Sequence, residues 1–133
     1  MKLNMEDLKN ITPVGEKLKL DYERDYNGNI ESLEITVYPL TAGEKIEIQK
    51  HSDILSKLVK IGEKRTPQED EELVNLNNMI NNKYAYFTMK KNIPDITEEF
   101  IKEKFPSKWF KAIFYAVLKA EGIDTKDIEK EKN

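Results

Sequence analysis

Residues 18–45 read LKLDYERDYNGNIESLEITVYPLTAGEK, a β-hairpin pattern that leads directly into a capped helix. Within it, Asn27-Gly28 suits a two-residue type I′ turn, because both positions tolerate a positive φ. A turn there predicts the cross-strand pairs Leu18 with Val37, Leu20 with Ile35, Tyr22 with Leu33 and Arg24 with Glu31. Apolar residues then share one face of the hairpin (17–38), and polar residues occupy the other. A lone hairpin is marginal in water, so we expect helices or a further strand to cover its apolar face.

Helix signals follow the hairpin. Thr41 with Glu44, and Thr66 with Glu69, form two capping boxes, in which side chains satisfy free N–H groups at a helix start. Pro67 occupies the first helical position that proline favours. The predicted helices cover about residues 42–61, 67–91, 96–105 and 107–121. Ser107 is expected to cap the last helix, and Asn81-Asn82 marks a potential break in the second, because asparagine is a poor helix former.

The indicated fold class is α+β, with the N-terminal antiparallel hairpin packed on a bundle of three to four helices. The length of 133 residues suits one domain over 1–123. The charged residues 124–133 are expected to form a frayed tail. No internal repeat or linker divides the chain.

Finer expectations concern the residues that face inward. In helix 42–61 the predicted apolar side consists of Ile46, Ile54, Leu55, Leu58 and Ile61, with Ile48 and Val59 at its margin. His51 lies on this arc. A half-buried structural role is favoured for it over that of a general base, because the sequence nominates no nucleophile or carboxylate partner. A helical turn over 5–10 would direct Leu8 inward.

Composition excludes several function classes. Lys and Arg number 22 against 25 Asp and Glu, a net charge of −3 that argues against nucleic-acid binding as the main activity. Without cysteine, disulfides, zinc–thiolate sites and thiol catalysis are excluded. No apolar run has the length of a signal peptide or membrane span, so we expect a cytoplasmic protein. No catalytic, cofactor or metal motif is present, which indicates a protein that is not an enzyme.

The densest apolar cluster lies in residues 108–118. Because this segment is apolar around most of its circumference, it is either central to the bundle or meets a partner on one side. Nearby lysines could form a local basic zone, although a solvated surface is the simpler interpretation. They are Lys83, Lys90, Lys91, Lys102, Lys104, Lys108 and Lys111.

Several short segments resemble the small tail assembly chaperones of tailed phages with long tails. They are Val37-Tyr38-Pro39-Leu40-Thr41-Ala42-Gly43-Glu44, Glu71-Glu72-Leu73, Ile96-Thr97-Glu98-Glu99 and Ala120-Glu121-Gly122-Ile123. The first is a strand that ends in a Pro-Leu-Thr turn and caps a long helix. The resemblance covers roughly residues 18–123.

This resemblance implies a non-catalytic function without cofactors. Proteins of that family bind the tape measure protein, a long helical chain, and keep it soluble until tail tube subunits polymerise around it. They commonly self-associate, so the implied partners are the tape measure protein, further copies of the chain and, as another candidate, the tail tube protein. The implied location is the cytoplasm of the host cell. An amphipathic helix of the client would lie between the second and last helices, against the aromatic anchors Tyr84, Phe87, Trp109, Phe110 and Phe114.

Other interpretations stay open at this stage. A small structural virion component would differ from a chaperone by remaining in the finished particle. A nucleic-acid-associated regulatory protein would use the lysines named above, against the overall charge. An enzyme with scattered carboxylates is the weakest alternative, because no pair has a suitable spacing.

Overall fold

The computed structural model describes residues 4–9, 13–23 and 28–123, so the charged segment 124–133 lies outside the described residues. Two strands form one antiparallel sheet and are followed by helices, which confirms the predicted α+β class. The elements are α1 (Met5–Lys9), β1 (Glu16–Glu23), β2 (Ile30–Val37), α2 (Ala42–Ile61), α3 (Pro67–Asn92), α4 (Glu98–Lys104) and α5 (Ser107–Ala120). A 3-10 turn, Gly62–Lys64, connects α2 to α3.

The register of the hairpin differs from the predicted one by two residues. Leu18 lies opposite Ile35, Leu20 opposite Leu33 and Tyr22 opposite Glu31. The predicted pairs were therefore wrong, yet every residue keeps its predicted face, because side chains alternate with a period of two. Alternation alone cannot distinguish two registers separated by two residues. Only the turn could have done so.

The predicted turn lies mostly outside the described residues. Among the described residues, the ladder ends at the pair of Glu23 with Ile30. Gly28 has a φ of 81°, the left-handed conformation expected of glycine in a hairpin connection. Asn27, the other residue of the predicted turn, lies outside the described residues.

One helix side chain holds each edge of the hairpin. On β2, the carboxamide of Asn92 accepts from Thr36 N at 2.9 Å and donates to Thr36 O at 2.9 Å. On β1, the indole N–H of Trp109 donates to Asp21 O at 3.0 Å. Asn92 ends α3 and Trp109 lies in the first turn of α5, so these bonds orient the sheet relative to both helices.

The core lies between the apolar face of the hairpin and the C-terminal helices. Val37 from β2, Ala85 from α3, Ile101 from α4, and Ile113 and Val117 from α5 are all fully buried. Helix α5 is the element whose residues meet both strands and α3. It is therefore central to the packing, and its N-terminal turns also reach the surface described below.

Both predicted capping boxes are confirmed. Thr41 Oγ1 accepts from Glu44 N, and Glu44 Oε1 accepts in return from Thr41 N at 2.8 Å. Thr66 and Glu69 repeat this exchange at the start of α3. These reciprocal bonds explain why both long helices begin at the predicted residues.

The buried side of α2 was only partly predicted. Ile48 and Leu58 are buried, and His51 between them is half-buried as expected. Ile46, assigned to the inner side, is 61% exposed, and Ile54 is also exposed, as is Ile61. The prediction was wrong because α2 packs mainly against α3, and a single neighbour covers only a narrow stripe of a helix.

The remaining expectations are resolved by local structure. Helix α3 continues through Asn81-Asn82 for 26 residues, because packing against its neighbours outweighs the poor propensity of asparagine. Leu8 in α1 is 48% exposed, so its inward orientation was wrong. Thr97 caps α4, whereas the N-cap of α5 is Pro106, without a side-chain bond, and Ser107 is the first helical residue.

Replacing Asn92 by alanine should destabilise the fold. The variant loses two hydrogen bonds to Thr36 and one to Thr88 O, and it leaves part-buried peptide groups unpaired. We expect the free energy of unfolding in urea to fall by about 2 kcal/mol. Asn75→Ala, at an exposed position of the same helix, should change it by less than about 0.5 kcal/mol. Equal stability of the two variants would contradict this role.

Candidate functional site

The five predicted anchor residues do not form one surface. Tyr84, Phe110 and Phe114 line a groove between α2, α3 and α5. Trp109 lies on another side of α5, in a cleft beneath the hairpin. Phe87 packs against the core cluster and beside the Tyr86 ring, whose centroid lies 5.9 Å away. The structure thus brings three of the five together.

The groove, called the α2–α3–α5 groove below, encloses about 630 Å³. Leu55 from α2 and Ile80 from α3 contribute apolar groups, and Phe110 and Phe114 contribute aromatic surface. The full lining consists of Ser52, Leu55, Asn77, Ile80, Asn81, Tyr84, Ser107, Phe110, Lys111, Phe114 and Tyr115. Polar and apolar side chains both contribute to this lining, which suits an amphipathic partner surface.

Ring contacts hold the aromatic wall of the groove. The ring of Tyr84 meets Phe114 edge to face, with centroids 5.0 Å apart and an interplanar angle of 87°. Phe114 in turn lies 5.9 Å from Tyr115. Edge-to-face pairs are favourable, so these rings are positioned before any partner arrives.

Beyond the groove, the same faces of α2 and α3 carry two exposed valines. Val59 lies one turn after Leu55 and Val74 lies one turn before Asn77, which places both on the faces that line the groove. They are 57% and 55% exposed. From Val74 to Tyr84 the surface extends over ten residues of helix, about 15 Å. This length matches roughly three turns of a bound helix.

Lysines lie at the α5 end of the groove. Lys111 stands over the Tyr115 ring, 5.8 Å from its centroid. Lys102 lines an adjoining hollow of about 360 Å³ with Asn78, Asn82 and Ser107. In the described part of the chain, neither lysine has an acidic partner within 4 Å. These two lysines of the predicted basic zone are thus available to an acidic group.

Other lysines of the predicted basic zone are already paired. Lys83 forms an ion pair with Glu98 at 2.6 Å, and Lys91 with Glu44 at 2.9 Å. Lys90 lies 5.4 Å from the centroid of the Tyr86 ring. The basic character of this region is therefore smaller than the count of lysines indicates.

A second apolar surface lies between the hairpin and α4, and is called the hairpin–α4 cleft below. It encloses about 400 Å³ and is lined by Tyr22, Leu33, Met89, Ile93, Ile96, Phe100, Lys104, Phe105 and Trp109. Phe100 is 50% exposed, although Ile101 beside it is fully buried. Sequence reasoning missed this cleft. The sequence feature that could have indicated it is the pair Phe100-Ile101 in α4, a helix too short to bury both side chains.

Trp109 connects the hairpin to α4. Its ring meets Phe105 edge to face at 5.0 Å, and its N–H donates to the backbone of β1. Through these contacts, Trp109 attaches the sheet to the helices. The sequence had instead predicted that Trp109 binds a partner.

Burial raises the pKa of the Tyr84 phenol above its ordinary value of 10.0, and the nearby carboxylate of Glu121 raises it further. Glu121 itself forms an ion pair with Lys45 at 3.1 Å. The phenol is therefore neutral over the whole physiological range, so Tyr84 lines the groove as an uncharged residue.

Among residues 4–9, 13–23 and 28–123, no three His, Asp or Glu side chains are grouped so that they could hold a metal ion. Over the same residues, no helix is both long and apolar enough to span a membrane.

Comparison with protein-family models, curated proteins and solved structures finds no significant match to this chain. Inference about its function therefore begins from the two surfaces.

Alkaline pH should reveal the environment of Tyr84. The folded protein favours the protonated phenol, so its contribution to stability is present below pH 10 and is lost as the pH rises towards the raised pKa. Above pH 10, the wild type should lose stability faster than Tyr84→Phe. The phenolate absorbance that the variant lacks should appear in the late part of the alkaline titration, where the Tyr84 phenol ionises. Superimposable titrations, after scaling for tyrosine number, would contradict this.

Trp109→Phe should separate the structural role of this residue from a role in partner binding. The variant keeps an aromatic ring against Phe105 and loses the hydrogen bond to Asp21 O, so we expect a loss of about 1 kcal/mol. Trp109→Ala should lose about 3 kcal/mol. Circular dichroism in urea measures both losses, since Trp109 is the sole tryptophan. If Trp109→Ala is as stable as the wild type, Trp109 has no structural role, and the predicted role in partner binding is favoured instead.

Proposed function

We propose that this protein binds an amphipathic helix of a client chain in the α2–α3–α5 groove and keeps that client soluble, without catalysing a reaction. One observation carries the proposal: pre-positioned Tyr84, Phe110 and Phe114 rings stand at one end of an open groove. Exposed Val59 and Val74 extend its apolar surface. Clefts of this kind accept the apolar face of a helix, with anchors at i, i+3 or i+4, and i+7.

The shape of the groove favours a helix over a small molecule. A small-molecule site usually encloses most of its ligand and presents a few convergent polar groups. Here the surface from Val74 to Tyr84 extends for about 15 Å along α3 and carries both apolar side chains and the carboxamides of Asn77 and Asn81, which suits an amphipathic helix. Each buried apolar side chain of a client would contribute about 1.5–3 kcal/mol.

Charge refines the expected client. Lys102 and Lys111 stand at the α5 end, whereas the first turns of α3 carry Glu69 and Asp70, of which Asp70 pairs with Arg65. A helix that carries acidic residues at the end nearest α5 would complement this distribution.

The client that we propose is the tape measure protein of a tailed phage or prophage. The Pro-Leu-Thr turn at the start of α2 and the order of the elements support this choice, through the resemblance to tail assembly chaperones. A long helical chain that is synthesised before its tube would expose apolar helix faces in the host cytoplasm. Self-association of the chaperone and contact with tail tube subunits belong to the same proposal.

Two matched substitutions test the groove. Val59→Glu and Ile46→Glu introduce the same charge on the same helix, at positions of similar exposure, but only Val59 lies on the groove face. Co-expressed with a tape measure protein as the proposed client, the wild type and Ile46→Glu should keep the client soluble, and Val59→Glu should weaken binding at least about tenfold. Neither exposed change should alter the fold.

A second pair of variants tests the aromatic wall. Phe110→Ala should reduce client binding, whereas Phe100→Ala, in the hairpin–α4 cleft, should not. If Val59→Glu and Phe110→Ala retain full binding, the groove is not the client site. Binding of random DNA that weakens steeply with salt would favour nucleic acid as the partner instead.

A further inference from the structure

The outer edge of β2 has free hydrogen-bonding groups. In an antiparallel pair, alternate residues direct both backbone groups away from the partner strand. At Thr36, the Asn92 carboxamide bonds the outward N–H and C=O groups. The same alternation directs the backbone N–H and C=O groups of Ser32 and Glu34 outward. In the part of the chain that the structure describes, no hydrogen bond reaches these outward groups, and both residues are exposed.

The contact of Asn92 shows which chemistry this edge accepts. Its carboxamide donates to Thr36 O and accepts from Thr36 N, both at 2.9 Å. A peptide group of an added strand would make the same two bonds. Beyond Asn92, the outward groups of Ser32 and Glu34 lie about 7 Å apart along the strand.

An apolar surface lies beside the open edge. Leu33 projects from β2 into the hairpin–α4 cleft, and Ile93, which follows Asn92, forms part of the same cleft. Ile96 and Phe100 complete this side, and Phe100 is half exposed. In an added strand, side chains on the Leu33 face would therefore meet apolar groups.

The negative charge of β2 indicates which kind of strand can pair with its outer edge. The strand carries Glu31 and Glu34 and no cation, and on its β1 side Lys19 lies opposite Glu34. Pairing of two β2 strands from two copies would bring like charges together, which destabilises a sheet. A strand with lysine or arginine on the Glu34 face complements it.

We infer that the open edge of β2 binds an extended segment of a partner protein in which apolar and basic residues alternate. The segment adds a third strand to the sheet, with its apolar residues towards Ile93 and Phe100 and its basic residues beside Glu34. This surface is separate from the α2–α3–α5 groove and does not depend on the client proposed for it.

The probe is a fluorescent peptide of about eight residues with alternating leucine and lysine, and its control alternates leucine and glutamate. The lysine peptide should bind the full-length protein more tightly by at least about tenfold. In hydrogen exchange followed by NMR, the amides of Ser32 and Glu34 should gain protection on binding. Protection of other amides instead would overturn the proposal.

Substitutions at Glu34 test the edge in two ways. Glu34→Pro removes an outward N–H without removing a bond to β1, so the hairpin should persist and peptide binding should fall about tenfold. Glu34→Lys keeps the backbone and should reverse the preference between the two peptides. Glu47→Lys, at an exposed position of α2, is the matched control. If Glu34→Lys and the control bind both peptides alike, the inference is wrong.

Discussion

The attachment of a two-stranded hairpin to three helices is the constraint on which the structure depends. Such a hairpin is marginally stable by itself, and its apolar face requires cover. Packing of Val37 into the core supplies the apolar contact. Asn92 and Trp109 each hydrogen-bond one edge at a single residue, and they lie at the end of α3 and in the first turn of α5. The sheet therefore determines where these two helices stand.

The α2–α3–α5 groove follows from this arrangement through helix length. Helix α3 has 26 residues and α5 has 14, and α5 is positioned by the hairpin near the C-terminal half of α3. The N-terminal half of α3 is left with α2 as its main neighbour. Apolar residues on that pair, such as Val59 and Val74, remain exposed where α5 does not reach.

Local signals were sufficient for much of the fold. The boundaries of α2 and α3 follow from capping boxes, because the bonding partners are only three residues apart. The faces of the hairpin follow from alternation. The register does not follow from alternation, because a shift of two residues preserves both faces of the hairpin, and the Asn27-Gly28 pattern favoured the other register. Of the five aromatic anchors predicted, the structure brings Tyr84, Phe110 and Phe114 together in one groove. Trp109 lies outside it, which the sequence could not indicate, because helical spacing cannot show which side of α5 meets the sheet.

By itself, the sequence determined an α+β chain with a hairpin, the starts of two long helices and an aromatic-rich final helix. Those features depend on interactions between neighbours along the chain. Only the tertiary structure decided that the Asn92 carboxamide bonds the backbone of β2. It also decided that Ile46 and Phe100 are exposed and that Trp109 lies apart from the groove. Each depends on contacts between residues far apart in sequence, such as the 56 residues between Thr36 and Asn92. Such contacts are set by how whole elements pack, which no local pattern encodes.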